Sequence, residues 1–183
     1  VVTPTQMAAQ KYAGQTVIGV NGAFSLVGLV ITTTFNAIDG VDGLSTNVIP
    51  GMNGTVDFGI TDRFSIGIAH FYQSGTAKWT SYQDTSGVMQ TGDWHYRLTR
   101  QNTALRMLFH LGDNDDLDTY FGIRLVMSYW SQSTNVPDAG SVIDLGVFGN
   151  KFWPQAVFGV RYFFIPALGV NAELALGFPY YLS

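Results

Sequence analysis

Several groups of residues in this sequence are of types that can do chemistry. His70 lies four positions before Ser74, and Asp93 two before His95. A hydrolytic site needs a nucleophile or carboxylate within hydrogen-bond reach of a base, and these two pairs are the nearest approach to that along the chain. They flank the two ends of the Ser81–Gly92 stretch, no His-x-x-x-His pair occurs, and His110 lies elsewhere. A second group, Asp113-Asn114-Asp115-Asp116, resembles part of a calcium loop. The full EF-hand pattern requires glycine at the sixth position and glutamate at the twelfth. Counted from Asp113 those positions hold Asp118 and Arg124, so the run reads as a solvated turn. A third group, Asp57, Arg100, Arg106, Arg124, Arg161 and Glu173, is scattered along the chain but falls on one phase of an alternating pattern. It would line an ion or solute path, or it would form a sealed polar core in which guanidiniums and carboxylates neutralise one another. A fourth is aromatic: Tyr72, Trp79, Trp94, Tyr96, Tyr129, Trp130 and Trp153. An aromatic girdle at a membrane interface accounts for them, and a carbohydrate platform is the alternative. On this reading no residue is catalytic, cofactor-binding or metal-ligating, and the protein is not an enzyme.

The elements that must position these groups are strands. From Ile49 to Lys78 two alternating runs are joined by Thr61-Asp62-Arg63. Met52, Val56, Phe58 and Ile60 share one face, with Asn53, Thr55, Asp57 and Gly59 on the other. After the turn Phe64, Ile66 and Ile68 alternate with Ser65, Gly67 and Ala69. Period two sustained over about ten residues means a β-strand between two environments. One face is bulky and apolar, the other small or polar. A soluble sandwich would bury the first; a transmembrane barrel turns it to lipid and folds the second inward.

Composition favours the barrel. Aromatic residues make up 14% of the 183 residues and charged residues only 12%, roughly half the usual charged share of a soluble domain. No run of about 18 apolar residues exists to make a membrane helix. With no cysteine, disulfides and thiolate metal sites are excluded. A net charge of -4 gives no electrostatic case for nucleic acid. The opening residues show no leader-peptide pattern, which suits a mature or trimmed chain.

Residues 1–14 do not alternate and read as an N-terminal periplasmic tail, with the barrel over 15–183. Strand 1 begins near Gln15 and extends toward Phe35. The strands that follow are centred on Ile49–Ile60, Phe64–Lys78, His95–Leu111, Leu117–Gln132, Phe152–Phe164 and Val170–Leu176. Connections alternate long and short: long around Asn36–Val48, Ser81–Trp94 and 133–151, short at Asp62, Asn114 and Pro166. Outer-membrane barrels have short periplasmic turns and long external loops, which orients the chain. The fold expected is all-β, an antiparallel up-and-down transmembrane β-barrel of eight strands. Seven are clear, and the eighth starts at Tyr180-Tyr181-Leu182-Ser183 and is cut short. Phe58, Ile66, Leu105, Ile123, Val160 and Leu174 should face lipid. The six charged residues named above should lie inside, with Arg106 and Arg124 at one depth in one hairpin and Arg161 and Glu173 in another.

The stretches PGMNGTVDFGITDRFSIGIAH, LDTYFGIRLVMSYW and FGVRYFFIPALGVNAELALG resemble the small eight-stranded bacterial outer-membrane β-barrel proteins, in the form common in Bacteroidota. The likeness covers roughly residues 49–183. It implies a bacterial outer-membrane location, lipid as the surrounding medium, no cofactor and no nucleic acid. It also implies a structural or accessory role, with a larger outer-membrane complex as the partner; the alternative is transport of a small apolar solute. Such a fold hosts many functions.

Overall fold

The computed structural model describes residues 13–25, 33, 41–83, 86–112, 116–136, 150–165, 167–177 and 181–182. Residues 1–12 of the proposed tail, 36–40 of the first long loop, most of the third long loop, and Asp113-Asn114-Asp115 of the acidic turn lie outside them. The strands are β1 (Thr16–Ser25), β2 (Val41–Asp42), β3 (Ser45–Thr61), β4 (Phe64–Gln83), β5 (Met89–His110), β6 (Leu117–Thr134), β7 (Lys151–Ile165), β8 (Leu168–Leu176) and β9 (Tyr181–Leu182). All pairings between them are antiparallel. Ser45–Val48, expected within the first loop, instead begin β3, where they pair with β4.

The wall runs β1-β3-β4-β5-β6-β7-β8, and the two-residue β9 touches both β8 and β1. The fold is therefore an all-β, up-and-down barrel of seven long strands, nearly closed, with only a stub in the eighth place. β2 is an added piece on the outer end of β4, pairing Val41 with Tyr82.

The alternation seen in the sequence is the organising fact. Along β3, β4, β5 and β6 buried and exposed residues take turns with little interruption. Inward residues are mostly small, polar or charged, with a minority of apolar and aromatic ones such as Phe71, Leu108 and Tyr120. Outward residues are large and apolar, among them Phe58, Ile66, Leu105, Ile123, Val160 and Leu174, all exposed. This inverts a soluble protein's distribution, where contiguous exposed apolar patches are rare.

Two further sequence expectations need correction. The stretch 81–94 is not a long loop. β4 continues to Gln83 and β5 starts at Met89, with Gln83 opposite Met89. Turn-forming residues such as Gly87 and Gly92 suggest a loop, but the two strands satisfy each other's backbone groups past the barrel rim. The second correction concerns the aromatic residues. Tyr72 and Tyr129 are exposed on the outer face. Trp79 and Trp130 instead pack inside against Ala77, Tyr96 and Leu98, with Leu44. Trp94 lies opposite Trp79, and Trp153 lies opposite the fully buried Val126. These five residues share the inward phase of their strands. Height along the strand suggested a girdle; phase, which the alternation rule reads directly, makes them a plug at the loop end of the lumen.

Candidate functional site: a buried ionic lumen

The turn half of the lumen holds a connected set of charges. Arg106, on β5, donates from Nη2 to Glu173 Oε2 at 2.7 Å and places Nε 3.0 Å from Asp57 Oδ1. Arg124, directly across the β5–β6 ladder from Arg106, pairs with the other oxygen of Glu173. Arg161, on β7, pairs with Asp57 Oδ2 and lies 3.8 Å from Asp118 Oδ2. Tyr120 donates its hydroxyl to Glu173 at 3.0 Å and carries the Arg161 guanidinium over its ring at 4.5 Å. Three guanidiniums thus face three carboxylates, and all are buried. A guanidinium stays charged in any protein environment, so each must be matched where water is absent.

Asp118 connects this set to two further side chains. His110 Nδ1 lies 2.9 Å from Asp118 Oδ1, and His110 Nε2 lies 2.9 Å from Ser65 Oγ. A carboxylate only accepts, so in the neutral imidazole Nδ1 carries the proton and Nε2 accepts from the Ser65 hydroxyl. The connectivity is that of a serine–histidine–aspartate triad. Its surroundings are those of a packed wall. Ser65 is buried, and its backbone lies within the ladder between Gly59 and Leu108. A backbone N–H engaged in a ladder is not free to stabilise an oxyanion.

Glycine makes room for the cluster. A Cβ at Gly159 would overlap the Tyr120 ring, and one at Gly67 would overlap the Asp57 carboxylate. Gly159→Ala should therefore displace Tyr120 and lower stability by about 1–3 kcal/mol, the usual cost of overpacking. A urea titration reads this, and the loss should largely disappear in a Tyr120→Ala background. An equal loss in that background would show that the Tyr120 contact is not the cause.

Arg100 stands further along β5. It contacts Asn102 Oδ1 at 3.3 Å, and its guanidinium lies 5.0 Å from the Phe71 ring and 5.6 Å from the Trp130 ring. Of the residues considered for catalysis, His70 is on the outer face and meets Thr103 Oγ1 at 3.2 Å, while Ser74 meets Thr99 Oγ1 at 3.3 Å. The structure does not bring His70 and Ser74 together. Asp93 and His95 share a small cleft at the outer rim with Lys78, Trp79 and Trp94. Among the described residues no group of three or more histidine or acidic side chains is placed to hold a metal ion.

Six charged residues expected in the interior are buried there. Their partnership differs from expectation in one respect. Glu173 bonds Arg106 and Arg124 rather than Arg161, its neighbour in the same hairpin. Sequence reading also missed Asp118, His110 and Ser65 as one array. Each has the inward phase of its strand, which was the available signal; they meet as diagonal neighbours on the consecutive strands β4, β5 and β6.

Together these features define the class: a narrow barrel with an apolar exterior, an aromatic plug at one end and a charge-matched polar lumen at the other. Comparison with protein-family models, with curated proteins and with solved structures finds no match.

Proposed function

We propose that the chain is a small bacterial outer-membrane β-barrel of the Bacteroidota kind, without catalytic activity, serving as a structural or accessory subunit of a larger outer-membrane complex. One observation carries this reading: the bulky apolar residues are outside and paired charges are buried inside. Bulky side chains form a continuous exterior from Phe58 to Leu174, which lipid would cover at no cost. Inside, ion pairs and tryptophans occupy the space that a channel would leave to water. An eight-stranded barrel is only wide enough for its own side chains. In this reading the turns at Asp62, Asn114 and Pro166 are periplasmic, and the aromatic end faces outward.

The protein reconstituted in planar bilayers should show no steady unitary conductance. Large, stable current steps would mean the lumen is open and the sealed-core reading is wrong. Purification in mild detergent should retain a stoichiometric partner protein.

The second reading is transport of a small apolar solute through a lateral opening. Flux of such a solute into liposomes carrying the isolated barrel would support it over the accessory role.

A further inference from the structure

We propose that the cleft at the aromatic end of the barrel binds a sugar unit carrying an acidic group. The site goes beyond the accessory-subunit reading, and it does not depend on what the barrel joins.

The cleft belongs to the part of the β4–β5 hairpin that rises past the rim. It has a volume of about 400 Å³ and is bounded by Lys78, Trp79, Thr80, Asp93, Trp94 and His95. Ligand pockets begin at about 300 Å³. A β-bulge shapes it. Trp79 stands opposite Trp94 and Ser81 opposite Thr91, so Thr80 alone on β4 faces both Gly92 and Asp93 on β5. A bulge bends its strand and re-aims a side chain, and barrel rims favour them.

The walls are tied down on both sides. Asn135 Oδ1 accepts from the His95 backbone N–H at 2.7 Å, and its Nδ2 donates to the Asp93 carbonyl at 2.8 Å. Thr134 donates its hydroxyl to the His95 carbonyl at 2.9 Å. On the β4 side Thr80 donates to the Asp42 carbonyl at 3.1 Å and Ser81 to the Asp42 carboxylate at 3.2 Å. Trp94 meets the Tyr82 ring edge-to-face, with centroids 5.3 Å apart. Its indole passes close to Gly92, where a Cβ would come within 3.1 Å of it. These contacts hold backbone and ring. The Lys78 ammonium, the Asp93 carboxylate and the His95 imidazole are left without a hydrogen bond or ion pair among the described residues. A fixed frame carrying unengaged functional groups favours binding, because little ordering remains to be done when a ligand arrives.

The groups select the ligand. A pyranose ring has C–H bonds on one face and hydroxyls around its edge. Indoles offer an apolar body with a negative face, which suits those C–H bonds. Asp93 accepts from hydroxyls. Lys78 is a compact point charge suited to a carboxylate or phosphate. Arg97 lies two positions below His95 on the same outward face, its Nε 3.4 Å from Thr76 Oγ1, so two cations stand against one carboxylate. Other ligands fit less well. An inorganic anion would use Lys78 and leave the indoles idle. An apolar solute would strand Lys78 and Asp93. A metal ion would find one carboxylate and one imidazole, with an ammonium beside them.

The test is saturation-transfer NMR on the whole barrel, held in a detergent with no sugar headgroup. The probes are glucuronic acid, glucose and inorganic phosphate. Glucuronic acid should receive saturation at its ring protons several-fold more strongly than glucose. Lys78→Gln, at an exposed position, should bring the acid down to the level of glucose. Asp93→Asn should weaken both sugars. Free glucuronic acid displaced by liposomes carrying a glucuronosyl lipid supports a membrane glycolipid as the source of the sugar; no displacement supports a soluble glycan. Absence of transfer to either sugar overturns the site. So does a response to the acid that Lys78→Gln leaves intact. Displacement of glucuronic acid by equimolar phosphate overturns the sugar in favour of an anion alone.

Discussion

Replacing Glu173 by Gln should cost the barrel about 3–5 kcal/mol of folding stability, the range found when one partner of a buried ion pair is removed. Glu173 accepts from Arg106, Arg124 and Tyr120. Arg106 and Arg124 are cross-strand neighbours at 0% exposure. Like charges in that position repel, and neither guanidinium can escape by losing its proton. Asp57 cannot take over, since it also pairs with Arg161. Gln keeps the side chain's size and one acceptor, so the loss isolates the charge. A urea titration of the refolded protein measures it as a lower midpoint at unchanged slope. Adding Arg124→Leu should recover part of the loss, because the second change removes the stranded cation. A cost under about 1 kcal/mol for Glu173→Gln would show that the cluster is solvated and not a sealed core.

Placing a charge on the opposite face gives the second large effect. Ile123→Arg should destabilise the barrel in a bilayer by about 2–4 kcal/mol, the range for a cation near the midplane of a membrane β-barrel. Ile123 sits between Met107 on β5 and Ala156 on β7, with Phe121 exposed two residues before it and Met127 four after. Among the described residues no carboxylate shares that face nearby. If the outer face met water, an exposed arginine would cost close to nothing, since isolated surface substitutions stay within about 0.5 kcal/mol. Equilibrium refolding into bilayers of the wild type and the variant separates the two cases. Unchanged stability in lipid would remove the central support for a membrane location.

How much of this was legible in the sequence differs by level. Phase was legible: period two placed Arg100, Arg106, Arg124, Arg161, Asp57 and Glu173 on the inner face because bulky neighbours occupied every other position. Depth within a hairpin was also legible, because a short turn fixes register; Arg106 and Arg124 do lie directly opposite. Partners across the lumen were not. Glu173 stands opposite Gly159, and Arg161 opposite Asn171, yet Glu173 reaches to β5 and β6. That contact is set by the stagger of all strands around the ring, which no local pattern encodes. Ser65, His110 and Asp118 are a different case: they lie on the neighbouring strands β4, β5 and β6 and meet diagonally, His110 two residues beyond Leu108, the partner of Ser65, and Asp118 two before Tyr120, the partner of His110. The tryptophans show the converse. Their phase was readable, but their height along the strand suggested a girdle, and the two cues conflicted. At the outer hairpin, glycine and aspartate pointed to a loop where β4 and β5 go on pairing, because turn composition says nothing about a partner strand alongside.

The ionic lumen also bears on the order of assembly. Arg161 and Asp57 are 104 residues apart, and Arg106 and Glu173 are 67 apart. No single hairpin contains both members of either pair. Until β3, β5, β7 and β8 share one curved wall, every one of these charges keeps its water, and nothing local rewards an early arrangement of them. Bringing them together is a late event with a high loop-closure cost. A slip of one residue in any ladder would turn an arginine outward and leave a carboxylate alone inside. The charges therefore act as a register check: they contribute nothing to the first hairpins, and they penalise a barrel that has closed in the wrong frame.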